Sequence, residues 1–444
     1  MQISSKHIAA KITIFTIITV LLLSLLTFAA VPAHVSQGTT MKDFKKQQEI
    51  DMVFIGSSHV IYGVNPDIVD ERLGVKSFNL GSGAQSMTAT YYLLKEVFEK
   101  HSPEFVFIDV YWNRLVDRDS MGTIIPFITM PFSVNKLDYL INGFESNYYL
   151  SAVFPGVLYP RMLMPSNLMT NLKAKFSYDY RNNIYIVPKT GANEGLTYIS
   201  KGHHTRYSSI TPGNVGKPSL YVYDEPQLKF DEESIEHFGK IVELCRKNGA
   251  QPVAFVTPVT LAALMEATDD YAAYTTQIEE IVSRSGVEYF DFNLSQPDFF
   301  ETLDWYYADH THLCNIGAEA FTSAFAEFIA DYIDGSLVRS SYLFDSFDEL
   351  LAANPRILCT WMEKDVHGKE LRAFSHTGTG VEPEYRFLVR QTDEHDFVIL
   401  QDYGAGDCVE IPALSNNRYV FRVEARVNGS LADFEQYYEL TLLL

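Results

Sequence analysis

Cysteine and basic side chains are both scarce in this sequence of 444 residues. The four cysteines do not make a disulfide framework, because Cys245 is on a predicted helix face and Cys314 is in a loop; Cys359 and Cys408 are the one pair that we would test as a bridge. No Cys-x-x-Cys pair and no structural zinc spacing is present. Lysine and arginine number 35 against 56 aspartates and glutamates, which gives a formal net charge of −21. Because nucleic-acid binding needs a basic face, we predict no nucleic-acid partner.

A long apolar run is present at the amino terminus. Lys6 and Lys11 precede a charge-free run from Ile12 to Ala33, about the twenty residues that a helix needs to cross a bilayer. Basic residues on its amino side place that end in the cytoplasm. We therefore assign residues 1–33 to a cytoplasmic end and a transmembrane signal anchor, with the rest of this single-pass chain outside the cell membrane. Val31-Pro32-Ala33 also fits a signal-peptidase site, which leaves a secreted protein as the alternative.

Residues 50–335 alternate strand and helix patterns, which indicates an α/β domain with a parallel sheet covered on both faces. The polar segment before it, 34–49, is interpreted as a stalk. The strand candidates are Met52–Ile55, Lys76–Leu80, Phe105–Val110, Pro252–Thr257 and Val287–Phe292. Apolar stripes predict three helices, with Met87, Tyr91, Leu94 and Phe98 on the first, Ile235, Phe238, Val242 and Cys245 on the second, and Phe321, Phe325, Phe328 and Tyr332 on the third, which Asn315 would cap.

Two further regions extend this domain. Residues 118–232 are rich in aromatic residues and far too long for a structureless connection, so we interpret them as an inserted cap or groove-forming subdomain. A packing elaboration without substrate contact is the alternative. After a helical lead-in at 346–353, residues 336–444 show period-two alternation, as at Tyr385, Phe387 and Val389, which predicts a C-terminal antiparallel β-sandwich used as an accessory domain.

Two short segments carry residues that suit serine catalysis. Gly56-Ser57-Ser58-His59 directly follows the first strand, and a serine in such a turn is presented at the carboxyl edge of a sheet. Asp309 and His312 stand three residues apart between the last strand and the last helix. There the carboxylate can hold one ring nitrogen while the other faces a serine. A helix-entry loop with a polar capping network is the alternative.

A metal site is a further alternative for these histidines. His310 and His312 would be the first ligands, together with His203 and His204. No third ligand stands at a recognisable spacing, so we predict neither a metal nor a cofactor.

In these segments the chain resembles the SGNH (GDSL-like) hydrolase superfamily, whose four sequence blocks supply Ser, Gly, Asn and Asp-x-x-His. The corresponding blocks here are Gly56-Ser57-Ser58, Asn79-Leu-Gly-Ser-Gly83-Ala-Gln-Ser, Phe107-Ile-Asp-Val-Tyr-Trp-Asn113 and Asp309-x-x-His312. The first block has a serine, Ser57, in place of the usual aspartate. The resemblance implies a three-layer, flavodoxin-like fold. It makes Ser58 the nucleophile, His312 its base oriented by Asp309, and the amides of Ser58 and Gly83 with the Asn113 side chain the oxyanion hole. The third block departs from the family pattern, with Tyr111-Trp112 where glycines are usual and Arg114 where a second acid often stands.

The serine variant of the first block, the anchor and the insertion are similar to those of membrane-anchored members that act in bacterial envelope acylation, such as D-alanyl transfer to teichoic acids and alginate-type O-acetylation. The resemblance implies an O-acyl group on an envelope or exported polysaccharide as substrate, and a membrane-bound O-acyltransferase as partner. The tail resembles a triple-tyrosine β-sandwich. Two alternatives stay open: a non-catalytic, surface-anchored glycan-binding or scaffold protein with this fold, and a secreted lipase-like esterase that uses the insertion as a lid.

Overall fold

The computed structural model describes most of the chain, and its elements are numbered here in chain order. The described residues are 5–32, 36–111, 113–116, 120–157, 160–182, 196–211, 217, 230–266, 268–414 and 417–444. The α-helices are α1 Ser5–Ala30, α2 Ser36–Phe44, α3 Ser58–Gly63, α4 Pro66–Leu73, α5 Met87–Phe98, α6 Asn113–Val116, α7 Ser120–Thr129, α8 Val134–Asn142, α9 Tyr149–Val153, α10 Pro165–Lys175, α11 Tyr178–Arg181, α12 Glu232–Lys247, α13 Leu261–Glu266, α14 Thr268–Arg284, α15 Asn315–Asp334 and α16 Phe347–Ala352. The strands are β1 Met52–Ile55, β2 Ser77–Asn79, β3 Phe105–Asp109, β4 Leu196–Ser200, β5 His203–Arg206, β6 Gln251–Val256, β7 Tyr289–Asp291, β8 Tyr307–Asp309, β9 His312–Leu313, β10 Ile357–Lys364, β11 Glu370–Thr377, β12 Pro383–Gln391, β13 Val398–Gly404, β14 Cys408–Glu410, β15 Arg418–Val427 and β16 Gln436–Leu443.

The five predicted strands of the α/β region are all present and form one sheet in the order β2-β1-β3-β6-β7. The pairs β1–β2, β1–β3 and β6–β7 are parallel, so the prediction of a mixed α/β fold with a parallel sheet is confirmed. β1 has the predicted bounds and is buried along its whole length. Continuous apolar runs of this kind form the inner strands of sheets that are covered on both faces.

The chain divides into two compact units. The first comprises Met1–Ile61, Gly74–Thr205 and Lys229–Val253, and the second comprises Tyr62–Leu73, Arg206–Leu228 and Ala254–Leu444. The predicted boundaries of the stalk, the α/β domain and the C-terminal domain stay predictions.

At the amino terminus, α1 is long and apolar enough to cross a membrane over the 21 residues Ala10–Ala30. Length and composition of this kind are shared by membrane anchors and signal sequences. Within the predicted stalk, α2 buries Thr40, Met41 and Phe44. The Phe44 ring packs against Phe78 and His101, so this segment is part of the first unit and not a solvated stalk.

The predicted helices differ from the structure in two details. α5 buries Met87 and Leu94 of the predicted stripe, but it also buries Tyr92, Leu93 and Val97, whereas Tyr91 and Phe98 are only half-buried. α15 begins after Cys314 and not after Asn315, and Gly335 ends it in the left-handed conformation, at φ 70°. α12 is as predicted, with Asp231 as its cap.

The insertion folds into helices α7–α11 and the hairpin β4–β5, whereas its residues 183–195, 212–216 and 218–229 lie outside the described residues. In the second unit, after α16, the period-two segments form two antiparallel sheets in the orders β10-β11-β14 and β13-β12-β15-β16. Leu371 of the first sheet and Phe387 and Val423 of the second belong to one buried core. The alternating apolar residues of this region therefore line a space between two sheets.

The cysteine pair that we would test is not a bridge. Cys359 and Cys408 are free thiols. They lie on β10 and β14, on either side of β11, opposite His376 and Arg372. Four residues along a strand are about 13 Å, which is too far for a disulfide.

Candidate active site

The hairpin β8–β9 brings Asp309 and His312 together in the second unit. The two residues face each other across the turn formed by His310 and Thr311. The imidazole Nδ1 lies 2.8 Å from Oδ1 of Asp309 and 3.0 Å from Oδ2. The Asp309 carboxylate also accepts the backbone N–H of Thr311 and that of His312, each at 3.0 Å. The turn therefore fixes both side chains relative to each other.

These contacts decide the charge of Asp309. Burial by itself raises the pKa of this carboxyl group, but the hydrogen bond and charge of His312, the Thr311 amide and the charge of Arg206 together lower the pKa well below its ordinary value. Arg206 Nη1 donates to Oδ2 at 3.0 Å. An ionised carboxylate at Nδ1 favours the tautomer with the proton on Nδ1, so Nε2 of a neutral His312 is the nitrogen that can accept a proton.

Tyr62, which lies in α3, forms a wall against the imidazole. Its ring centroid lies 5.2 Å from that of His312, in an edge-to-face arrangement at 81°. The guanidinium of Arg206 lies 5.1 Å from the Tyr62 ring centroid. Burial raises the pKa of the Tyr62 hydroxyl although Arg206 opposes the shift, so this side chain stays neutral. Tyr62 and Arg206 thus enclose the Asp309–His312 pair with an aromatic ring and a cation.

The hairpin is anchored on the core by its apolar residues. Tyr307 and Leu313 are buried, and the backbone N–H of Cys314 donates to the Tyr306 carbonyl at 2.8 Å. Gly317, in the first turn of α15, packs directly on that carbonyl, because an added Cβ would lie 1.9 Å from the Tyr306 oxygen. Position 317 therefore requires glycine, because the Tyr306 carbonyl lies too close for a side chain.

In the first unit, the first and third sequence blocks meet at Asp109. Its Oδ2 accepts the hydroxyl of Ser57 at 2.7 Å and the backbone N–H of Ser57 at 2.9 Å. β1 and β3 are neighbours, with Ile55 opposite Ile108, so Gly56 faces Asp109. A Cβ on Gly56 would lie 2.3 Å from the Asp109 Cβ, which explains why the strand must end in glycine.

Arg114 completes this buried cluster. Its Nη1 lies 3.8 Å from the carboxylate Oδ2 of Asp109, and both side chains are almost fully buried. Burial lowers the pKa of Arg114 to about 10 although the Asp109 charge opposes the shift. Arg114 Nε also donates to the Gln85 carbonyl at 2.8 Å, and Nη2 donates to Thr90 Oγ1 at 2.5 Å. The arginine that departs from the family pattern therefore links the third block to the end of the second.

Ser58 is the first residue of α3 and is half-buried. The sequence predicts only a turn here, but the chain continues as a short helix because the Ser57 carbonyl accepts the N–H groups of Val60 and Ile61. His59 is buried and stacks on Tyr111, with ring centroids 3.9 Å apart, so its imidazole is part of the packing.

The second block lies beside the first. The Ser82 N–H donates to the Gly56 carbonyl at 2.9 Å, and the Gly81 N–H donates to Asn79 Oδ1 at 3.0 Å. Both of these amides are therefore occupied. Gly83 lies next in an exposed turn with open space around its Cα, and within the described part of the chain no hydrogen bond reaches its N–H.

The remaining predicted residues are Asn113 and the histidines of the metal alternative. Asn113 begins α6, and its side chain lies outside the described residues, as does all of Trp112. Among the described residues no group of three His, Cys, Asp or Glu side chains could hold a metal ion. His203 Nδ1 lies 2.9 Å from the Ile61 carbonyl, and His204 Nδ1 lies 3.1 Å from that of Gly202, so both rings have backbone partners.

The first unit also has a cavity whose lining contains none of the predicted catalytic or oxyanion-hole residues. It lies between the starts of α5 and α12 and the α8–α9 connection, and its lining includes Ser86, Thr123, Phe144, Tyr148 and Asp231. Ser86 also caps α5 by accepting the Ala89 N–H. The residues at this cavity are hydroxyl-bearing, aromatic and acidic, and Oγ1 of one of them, Thr88, lies 3.4 Å from His237 Nδ1.

Three side chains of the two clusters have no role in the sequence analysis. Asp109 had a signal, because it is a charged residue at the end of the otherwise apolar strand β3. Arg206 and Tyr62 had none, because no motif or spacing in the sequence distinguishes them. Their roles come only from tertiary contacts with Asp309 and His312.

Comparison with known proteins adds little to this geometry. No protein-family model matches the chain, and no curated protein matches it. Two solved structures resemble it: a presumed acylhydrolase from Bacteroides fragilis and a presumed platelet activating factor from Streptococcus pneumoniae. Each is 11% identical with a TM-score of 0.30, and the alignments cover 66% of this chain and 90% and 91% of those chains. A likeness this low assigns neither a family nor an activity.

Proposed function

We propose that this protein is an extracytoplasmic serine esterase or O-acyltransferase of the SGNH type that forms an acyl-enzyme on Ser58. The Asp309–His312 pair carries the proposal. A carboxylate bound at 2.8 Å to Nδ1 leaves Nε2 as a proton acceptor of fixed orientation. A serine nucleophile needs a base held in this way.

Two features favour Ser58 over the adjacent serine. The Ser57 hydroxyl donates to the buried Asp109 carboxylate, so it is occupied in holding the strand end. Ser58 begins α3, and Tyr62, whose ring contacts His312, stands four residues later in the same helix.

The chemistry balances as ordinary acyl transfer. Ser58 Oγ attacks the ester carbonyl while His312 Nε2 takes its proton, and the same proton then goes to the departing alcohol. Water or a sugar hydroxyl next attacks the acyl-enzyme, gives its proton to Nε2, and releases the acid or the new ester as the proton returns to Ser58. The N–H groups of Ser58 and Gly83 with the Asn113 side chain would bind the developing oxyanion; removing one such donor typically costs about 10²–10³ in rate.

The resemblance to envelope-acylating members supplies the substrate class and the cellular place. We propose an O-acyl group on an envelope or exported polysaccharide as substrate, a membrane-bound O-acyltransferase as partner, and α1 as the anchor that keeps the body outside the membrane. The proposed organisation is an anchor over 1–33, an SGNH-type domain over 50–335 with its insertion, and an accessory β-sandwich over 336–444.

A serine-reactive fluorophosphonate probe tests the acyl-enzyme step directly. We expect the full-length protein to be labelled on Ser58, identified by mass spectrometry of the modified peptide, and to hydrolyse an activated acetyl ester. Ser58→Ala should lose both properties while its circular dichroism stays unchanged, whereas Ser102→Ala, an exposed serine of the same unit, should keep both. Normal turnover by folded Ser58→Ala would refute the proposal. Absence of labelling in the unmodified protein would favour the non-catalytic glycan-binding alternative.

A further inference from the structure

The last turn of α1 is built into the first unit by hydrogen bonds from the insertion. Thr27 Oγ1 donates to the Val153 carbonyl of α9 at 3.1 Å. Asn171 Nδ2 of α10 donates to the Ala30 carbonyl at 2.8 Å. Lys175 Nζ, one turn further along α10, donates to the Val31 carbonyl at 2.6 Å and to the Phe28 carbonyl. Carbonyls at a helix end have no partner within the helix, and α10 supplies those partners here.

This junction fixes the depth of α9 and α10 relative to a membrane. Ala10–Ala30 is about 32 Å long at 1.5 Å per residue, which matches the hydrocarbon core of about 30 Å. Ala30 is then at the outer boundary of the hydrocarbon core. Thr27 lies about 4.5 Å deeper along the helix, so its partner Val153 lies within a few ångströms, about 5 Å, of that boundary.

α8, the helix before α9, carries exposed apolar side chains. Val134, Leu137 and Ile141 are spaced on one face of α8 and are 83%, 45% and 61% exposed. The opposite face of α8 is buried through Asn135 and Tyr139. An amphipathic helix that turns its apolar face outward has the pattern of a helix lying in a membrane interface.

The exposed residues are continuous with the α1 junction. Tyr149, at the start of α9, donates its hydroxyl to the Ile141 carbonyl at the end of α8 at 2.9 Å. Leu150 of α9 is exposed, and on the α10 side Met169 and Phe176 are exposed. We call α8, α9 and α10 with these exposed residues the interfacial collar. Patches of this kind on soluble monomers are rare and mark sites of interaction.

The charge of this region is the reverse of that of the chain. Residues 131–182 contain five basic and three acidic residues, whereas the whole chain has 35 and 56. Of the basic residues, Arg161, Lys173 and Arg181 are exposed, whereas Lys175 is buried at the α1 junction and Lys136 donates to the Met130 carbonyl at 2.9 Å. Basic residues beside an apolar face favour the anionic headgroups of a bilayer.

We propose that α1 is retained as an anchor and that the interfacial collar lies in the outer headgroup region of the same membrane, with its apolar side chains inserted among the lipids. The inference extends the proposed membrane location and is independent of the acyl-transfer chemistry. The occupant of the apolar face is the lipid bilayer, because the face continues from the end of a membrane-spanning helix and is rimmed by basic residues. The insertion then orients the first unit on the membrane surface instead of leaving it on a free tether.

Fluorescence quenching by brominated lipids tests this placement. The full chain would be reconstituted in vesicles of phosphatidylcholine and phosphatidylglycerol, with tryptophan introduced by Leu137→Trp or Phe176→Trp. We expect the emission that each variant adds to be lost in vesicles of brominated lipid and kept in ordinary vesicles. Lys247→Trp, at the exposed far end of α12 in the same unit, is the control and should keep its added emission in both.

The outcomes separate the parts of the proposal. Two collar positions are used, so that misfolding of one variant still leaves a test. If the chain resists alkaline carbonate extraction but neither collar tryptophan is quenched, the collar proposal is wrong. Light scattering in detergent would then show whether two copies of the chain pair through this face, and neither a monomer nor a dimer would restore the proposal. Equal quenching of Lys247→Trp would mean non-specific adhesion and would also refute it. Extraction by carbonate would refute the retained anchor, whereas ester turnover in the same sample reports separately on the acyl-transfer proposal.

Discussion

The Ser57 hydroxyl donates a 2.7 Å hydrogen bond to the carboxylate of Asp109, and both side chains are buried at the point where two neighbouring strands end. The same carboxylate accepts the Tyr111 N–H at 2.9 Å and lies opposite the Arg114 guanidinium. Asp109 thus joins the chain segments that follow β1 and β3. The geometry next to the proposed nucleophile depends on a residue outside the predicted catalytic set.

Removing this carboxylate should be more damaging than removing the serine hydroxyl. Asp109→Ala leaves Arg114 buried without its anion, and losing one partner of a buried ion pair typically costs about 3–5 kcal/mol. Ser57→Ala loses one hydrogen bond to a charged group, which costs about 1–3 kcal/mol. Thermal unfolding should rank the variants in that order, with Ser102→Ala, an exposed serine, close to the unmodified protein. Equal midpoints for all three would show that the Asp109 cluster contributes no stability.

Asp309→Asn tests how His312 is held. An amide in place of the carboxylate can donate to Nδ1, which leaves the proton on Nε2, the nitrogen that has to accept one. In serine proteases this change lowers kcat by about 10⁴, and we expect a fall of about 10³–10⁴ in ester turnover here with KM little changed. Asp348→Asn makes the same chemical change at an exposed residue of the same unit and should keep full turnover. An Asp309→Asn enzyme within about tenfold of the unmodified rate would contradict the assignment of His312 as base.

The aromatic ring of Tyr62 should be more important for kcat than its hydroxyl group. The edge-to-face contact at 5.2 Å restrains the imidazole of His312, and a ring that moves by about 1 Å can lower the rate by about 10². We expect Tyr62→Ala to lower kcat by about 10–100-fold and Tyr62→Phe to have a smaller effect, because phenylalanine keeps the ring. A positioning role predicts a loss in kcat without a matching rise in KM. If Tyr62→Phe and Tyr62→Ala were equally impaired, the hydroxyl near Arg206 and not the ring would be the important group.

The sequence predicts those parts of this protein whose signal is local. Met52–Ile55 is a continuous apolar run, and β1 has those bounds. Asp309 and His312 are three residues apart, so a short turn is enough to bring them together. Asp109 and Ser57 are 52 residues apart, and their pairing depends on the register that places Ile55 opposite Ile108. No local pattern states that register.

Tertiary burial explains the other differences. Residues 36–44 are polar in composition, and only the packing of Phe44 on Phe78 shows that the segment is part of a folded unit. Cys359 and Cys408 share a small β region in sequence, but a strand lies between theirs. In both cases the sequence indicates which helices and strands are present. Burial of the helix and pairing of the cysteines depend instead on which elements are neighbours in space.

The free energy of unfolding should also depend on pH through the carboxylate of Asp309. Burial raises the pKa of Asp309, but His312, the Thr311 amide and Arg206 lower it by more than burial raises it. The pKa in the folded state therefore lies below the ordinary value of about 3.9 of an unfolded chain. The folded state therefore binds this proton more weakly than the unfolded chain does. The ionised Asp309 carboxylate contributes its full stabilisation of the fold above about pH 4–5. This contribution is lost as the pH falls toward the pKa of Asp309 in the folded state. We expect the unfolding midpoint of the unmodified protein to exceed that of Asp309→Asn by a smaller amount at about pH 3 than at about pH 5. Midpoints of Asp348→Asn in the same buffers correct for the loss of one exposed carboxylate. A difference that grows as the pH falls would mean that His312 and Arg206 do not stabilise the ionised form of Asp309.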